Sequence, residues 1–109
     1  MKKKKIKKIT LTESGFCIYH NGLICSFNWE EIDTLTGFKI DRFTVDDICI
    51  KVKSRNKVVI ANEEFDGWRR FIDELLNNFP GIDKSWELII AQPQFERNET
   101  VLLDEKKVG

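Results

Sequence analysis

Asn62-Glu63-Glu64-Phe65-Asp66-Gly67-Trp68-Arg69-Arg70-Phe71-Ile72-Asp73-Glu74-Leu75-Leu76-Asn77-Asn78-Phe79-Pro80 reads as one capped, amphipathic helix. Asn62 suits the N-cap, where a side-chain oxygen accepts a hydrogen bond from a first-turn N–H. Glu63 and Glu64 then sit at the positive end of the helix dipole. Phe65, Trp68, Ile72, Leu75, Leu76 and Phe79 recur as a single apolar stripe. Arg69–Asp73 and Arg70–Glu74 are i,i+4 pairs on the flank, worth about 0.2–0.5 kcal/mol each. Pro80-Gly81 ends the element. A stripe of this size needs a surface to cover, and the residues before it supply one.

Almost all of that preceding chain reads as strands. Ile6 to Thr12 is a first strand with a lysine-rich solvent face, and Thr12-Glu13-Ser14-Gly15 is a turn. Gly15 to His20 and Leu23 to Asn28 flank Asn21-Gly22, the strongest short hairpin signal, because both residues tolerate φ > 0. A two-residue turn there pairs His20 with Leu23, Ile18 with Cys25 and Phe16 with Phe27. Side chains alternate across a strand, so Phe16, Ile18, Leu23, Cys25 and Phe27 share the expected core face. Cys17 and Cys25 then lie on opposite faces, which argues against a disulfide between them.

Trp29 to Asp33 is a short link, and Thr34 to Ile40 a fourth strand in which Gly37 marks a bend or bulge. Asp41 to Asp46 is a loop. Asp47 to Lys53 alternates, with Ile48, Ile50 and Val52 on one face and Cys49, Lys51 and Lys53 on the other. Val58 to Ala61 is a sixth strand. Its faces depend on whether the turn near Ser54–Lys57 uses two residues or three. After the helix, Asp83 caps a shorter one in which Trp86, Ile89 and Ile90 share a face, and Pro93 stops it. Gln94 to Leu103 is extended, either an extra strand on the sheet or an arm offered to a partner. The expected fold is therefore α+β. It is an antiparallel, bent sheet or partly open barrel of six to seven strands, capped by a C-terminal amphipathic helix around 63–78, with a short second helix and an extended tail. Residues 1–5 are a basic extension, 6–103 a single domain, and 104–109 a frayed tail.

The chain has 109 residues, 41% hydrophobic and 11% aromatic, which fits one globular domain and argues against disorder. Lys+Arg and Asp+Glu are 18 each, so the chain lacks the basic balance of a general nucleic-acid binder. No apolar run approaches the roughly 18 residues of a membrane span. The Lys2–Lys8 run is followed by no apolar segment of signal-peptide type. Three cysteines without CxxC spacing fit reduced thiols in the cytoplasm.

Strands, then Phe27-Asn28-Trp29-Glu30-Glu31-Ile32-Asp33-Thr34-Leu35, then a hairpin and a C-terminal helix: this order resembles the bacterial pleckstrin-homology-like (PH-like) and GRAM-like domains over residues 6–79. Local strings, among them Phe38 to Cys49, Glu63 to Trp68 and Pro93 to Leu102, also resemble a family of small uncharacterised bacterial proteins. Pleckstrin-like members that bind phosphoinositides carry Lys and Arg in and beside the loop joining the first two strands. Here that loop, Thr12 to Gly15, holds an acid and no base. The resemblance therefore implies the other habit of the family, binding of a protein or peptide.

No constellation for chemistry emerges. His20 is the single histidine, and side chains at 17 and 20 of one strand point to opposite faces, so a Cys17–His20 nucleophile pair is not expected. Cys17, Cys25 and Cys49 lack zinc-ligand spacing. The pairs Glu30-Glu31, Asp46-Asp47 and Glu63-Glu64 read as solvated or dipole-facing acids. Trp29, Trp68 and Trp86 read as core before they read as a stacking surface. The chain is thus expected to be no enzyme and to use no cofactor and no metal. It is expected to be a cytoplasmic binding or scaffolding module for a protein or peptide partner. Loops carry such contacts disproportionately, so the candidate partner residues are Asp41, Arg42, Phe43 and Asp46 of one loop and Phe95, Asn98 and Thr100 of the tail. Two alternatives remain: an immunity-type protein neutralising a cognate toxin, and a peripheral binder of anionic membranes through the N-terminal lysines.

Overall fold

The Asn21-Gly22 turn is the local feature from which the first layer grows. In the computed structural model, which describes residues 6–41, 46–91 and 99–104, Asn21 has φ 53° and Gly22 φ 91°. The turn joins β2 (Gly15–His20) to β3 (Leu23–Asn28), and β1 (Lys7–Leu11) pairs on the other side of β2. His20 faces Leu23, Ile18 faces Cys25 and Phe16 faces Phe27, the register that the two-residue turn requires. Phe16, Ile18 and Phe27 are buried as alternation predicts, and Cys25 is half-buried. Leu23 is different: it lies at the turn end of the hairpin, beyond the core, and is 73% exposed.

A second layer follows a single 3-10 turn, Trp29–Glu31. It contains β4 (Thr34–Asp41), β5 (Asp46–Ser54), β6 (Lys57–Asn62) and β7 (Glu99–Asp104), in the spatial order β6-β5-β4-β7. The tail thus enters the sheet as an extra strand through residues 99–104. Ile48, Ile50 and Val52 are buried. Ser54 pairs with Lys57, so the β5–β6 turn has two residues, and Arg55 takes φ 54°. That choice turns Val59 and Ala61 inward and leaves Val58 and Ile60 outward.

The expected single sheet or partly open barrel of six to seven strands, capped by one C-terminal helix, is not what forms. Among the described residues there are two separate antiparallel sheets, of three and four strands, and two short helices. The reason lies in the link. After β3 the 3-10 turn carries the chain away, and Asp33 N–H bonds to the Lys53 carbonyl (2.8 Å) while Ser54 Oγ donates to the Glu31 carbonyl (2.7 Å). β4 is thereby anchored to β5 instead of pairing with β3. The β3 and β6 edges are left facing one another without a backbone ladder.

The helix also starts later than its sequence suggests. Asn62 Oδ1 accepts from the Glu64 N–H (2.9 Å) and its carbonyl from the Phe65 N–H (3.0 Å), which makes a turn and no helix cap. Residues 63–67 then run beside β1: Ile9 N–H bonds to the Asp66 carbonyl (2.8 Å) and Asp66 N–H to the Lys7 carbonyl (3.0 Å). Only at Gly67, with φ 87°, does α1 (Trp68–Asn78) begin. Its buried residues are Trp68, Phe71, Ile72 and Leu75. The Phe71 ring lies 4.8 Å from that of Phe16 and stacks on Trp29 at 6.3 Å.

The second helix, α2 (Trp86–Ala91), covers the other sheet. Trp86 and Ile90 are buried, whereas Ile89 is 53% exposed, against the expected shared face. Gly37 is no bulge: a Cβ there would lie 2.6 Å from the Trp86 ring. The pairing irregularity falls at Leu35/Thr36, between β4 and β7. Glu87 links the helices, accepting from Trp68 Nε1 (3.1 Å) and Arg69 Nη2 (2.9 Å). Both sheets and both helices share one apolar core, in which each large side chain contributes about 1.5–3 kcal/mol by burial. Among the described residues no helix is long and apolar enough to cross a membrane.

Candidate functional site

Two strand edges that pair with no other described strand face each other across the seam between the sheets. β3 is the last strand of the first sheet and β6 the last of the second. Between them lies an apolar groove of about 340 Å³, lined by Ile18 and His20 of β2, Leu23 and Cys25 of β3, and Val58, Val59 and Ile60 of β6. The two turns create it. The Asn21-Gly22 turn sets Leu23 beyond the core, and the Arg55-Asn56 turn points Val58 and Ile60 away from it. Arg55 N–H donates to the Asp33 carboxylate (2.8 Å), which holds the second turn in place.

Exposure makes the seam unusual. Leu23 is 73%, Ile24 62%, Val58 54% and Ile60 46% exposed. Leu23, Val58 and Ile60 line the groove, whereas Ile24 lies on the opposite face of β3. Single exposed aliphatics are ordinary, but several grouped at strand edges form the kind of surface that other chains cover. One end of the groove is bridged, because the Lys57 ammonium donates to the Ser26 carbonyl and lies 4.9 Å over the Phe27 ring. At β2 the His20 ring packs edge-on against Phe65 at 5.7 Å.

The charged side chains opposite the exposed aliphatics of β6 are both lysines. Val58 is opposite Lys53 and Ile60 opposite Lys51 in the β5–β6 register. Directly opposite residues share a face, so Lys51 and Lys53 stand alongside the two exposed aliphatics. Both lysines are half-buried, and among the described residues neither makes an ion pair. Also among the described residues, no group of three or more His, Cys, Asp or Glu side chains is placed to hold a metal ion. Cys17 Sγ lies 3.2 Å from Ser26 Oγ on the outer face of the first sheet.

Of the sequence-predicted partner residues, Asp41, Asp46 and Thr100 are among the described ones. Asp41 and Asp46 are paired with each other where β4 and β5 meet their connecting loop. Thr100 pairs with Gly37 in β7, four positions along β4 from Asp41, or about 14 Å at strand spacing. Arg42, Phe43, Phe95 and Asn98 lie outside the described residues. The tryptophans serve the core: Trp29 contacts Phe16 (4.8 Å), Phe71 (6.3 Å) and Phe79 (6.1 Å). The seam itself was not singled out. Its one legible signal was the turn length after Ser54, which decides the faces of β6.

Glu63, assigned to the helix dipole by its sequence position, sits instead in the turn before α1. Burial raises its pKa above the usual carboxylate range, and the nearby charges of Asp47, Glu87 and Glu64 add to the rise, while a backbone hydrogen bond from Ile48 opposes it. A carboxyl group with a raised folded-state pKa costs stability once it ionises. That cost is absent below the unfolded pKa and grows as pH rises through the folded one. Glu63→Gln should therefore stabilise the protein at pH 7, by on the order of a few tenths of a kcal/mol because the group is solvent-screened. The gain should vanish at pH 3. Urea melts at the two pH values check this, and an equal gain at both would remove the electrostatic account.

Comparison with protein-family models, with curated proteins and with solved structures finds no match for this chain. The functional reading therefore rests on the geometry of the seam.

Proposed function

We propose that this chain is a non-catalytic binding module that takes an extended segment of a partner protein along the seam between β3 and β6. The observation that carries the reading is the pair of unpaired strand edges flanking an apolar groove, with Leu23, Val58 and Ile60 exposed beside it. In an antiparallel ladder every second residue of an edge strand directs its N–H and C=O away from its partner. An added strand satisfies those groups, and its alternate side chains enter the groove next to it. Main-chain bonds then supply affinity, and the apolar lining supplies selection.

The test is direct. Peptides selected from a random library against the whole chain should protect backbone amides of residues 23–28 and 57–62 from hydrogen exchange. The double variant Leu23→Lys/Val58→Lys should weaken such peptides at least tenfold while leaving the melting temperature within a few degrees, since both side chains are already exposed. Protection that maps to other strands, or affinity untouched by the double variant, would overturn the assignment.

A further inference from the structure

We infer that the occupant of the seam is an acidic strand, adding to the β6 edge with carboxylates that meet Lys51 and Lys53; this rests on the binding reading above. A strand paired to β6 lies about 4.8 Å from it and therefore about 10 Å from β5. Its inward side chains face Val59 and Cys25 in the groove. Its outward side chains lie beside Val58 and Ile60, whose other neighbours are Lys53 and Lys51. Lysine stems run readily over aliphatic surface with the ammonium reaching past it. Glutamates on the added strand and lysines on β5 can thus meet above Val58 and Ile60. The two lysines are half-buried and carry no ion pair among the described residues, so an incoming carboxylate meets charge not already neutralised.

The same charges select against the other occupants. A second copy pairing β6 with β6 about a two-fold axis would bring two identical lysine rows to one sheet face, and like charges across an interface disfavour it. The ends of the chain are no better matched. Residues 1–5 are Met-Lys-Lys-Lys-Lys and residues 105–109 are Glu-Lys-Lys-Val-Gly, both basic. The β3 edge offers less, because on its sheet Lys8 is already placed 5.0 Å over the Tyr19 ring, in the row that ends at Ile24. An acidic, alternately apolar segment fits the charge, the groove and the free ladder together.

Three fluorescent nine-residue peptides test this by anisotropy against the full chain: alternating Val-Glu, Val-Ser and Val-Lys. The Val-Glu peptide should bind at least fivefold tighter than Val-Ser, with Val-Lys weakest. Exposed charge pairs are screened, so the preference should shrink in 0.5 M salt. In Lys51→Gln/Lys53→Gln the preference should fall below twofold with Val-Ser affinity unchanged, and Lys51→Arg/Lys53→Arg should keep it. Equal affinity for Val-Glu and Val-Ser would overturn the acidic occupant while leaving the groove reading intact. Failure of all three peptides to bind or to protect β6 amides would remove both. A dimer in sedimentation that Val58→Lys dissociates would assign the edge to a second copy. Tighter peptide binding on deletion of residues 1–5 or 105–109 would assign it to the chain's own ends. Either result overturns the proposal.

Discussion

Replacing Phe71 by alanine is expected to cost about 3–5 kcal/mol of folding free energy, the range for losing a large buried aromatic. Phe71 is fully buried in α1 and touches the rings of Phe16 (4.8 Å), Trp29 (6.3 Å) and Trp68 (6.2 Å). It is the side chain through which the helix meets the first sheet and the link that follows it. Its removal leaves a void lined by three rings held on separate elements, Phe16 on β2, Trp29 on the 3-10 turn and Trp68 on α1, which cannot all close into the space at once. Phe71→Leu keeps most of the volume and should cost about 1–2 kcal/mol. Denaturant melts of the two variants measure both values. A loss under about 1 kcal/mol for the alanine variant would show that α1 is not what seals this part of the core.

The second large effect is expected at Gly67. Its φ of 87° lies in the left-handed region, and a Cβ would stand 2.3 Å from the Ile9 carbonyl oxygen. Gly67→Ala therefore carries both backbone strain and a collision with main chain that no rotamer relieves, together about 2–4 kcal/mol. Gly22 separates the two terms. It also has a positive φ, 91°, but nothing lies within 4 Å of its Cβ position. Gly22→Ala should show the strain alone, about 1–2 kcal/mol. Melts of the pair should differ by at least about 1 kcal/mol. Equal losses would mean that the approach of residues 66–67 to β1 is not needed for stability. The Ile9 amide, bonded to the Asp66 carbonyl, should exchange faster in Gly67→Ala and stay protected in Gly22→Ala.

Local pairings were legible because their causes are local. Asn21-Gly22 admits one turn class, and the register from Phe16 to Phe27 follows from it. The alternation at Ile48, Ile50 and Val52 marks one buried face, although Cys49, expected on the other face with Lys51 and Lys53, is buried as well. Trp86 was readable as the contact of the second helix with the sheet, and Gly37 is where the Trp86 ring finds room. The helix start was misread for a specific reason. Asn62 caps a turn as well as it caps a helix, since either way its side chain accepts an N–H two residues on. What separates the alternatives is the pair of hydrogen bonds between Asp66 and β1, a contact across nearly sixty residues of chain. Phe71, absent from the stripe counted from Phe65, falls on it once the helix is counted from Trp68.

The candidate site was the least legible part. Asp41 and Asp46 pair where β4 ends and β5 begins, and Thr100 lies in β7, the extra strand that was one of the two readings of the tail. Leu23 was assigned to the core by alternation, which fixes the face of a strand and says nothing about how far the core extends along it. Val58 and Ile60 point outward only because the turn before them uses two residues.

By itself the sequence determined the elements to a first approximation: six to seven short strands and two helices, the hairpin register, most of the core aromatics and the α+β class. These depend on turn chemistry and on period, and both act within a few residues. Only the tertiary structure decided that the strands divide into two sheets, that α1 begins at Gly67, and that the β3 and β6 edges face each other unpaired. Each of those outcomes is set by long-range hydrogen bonds, Asp33 to Lys53 and Asp66 to β1 among them, whose partners are distant in the chain. Local propensity is indifferent between a barrel that closes this seam and two layers that leave it open. The anchoring of β4 to β5 makes the choice, and with it places the groove.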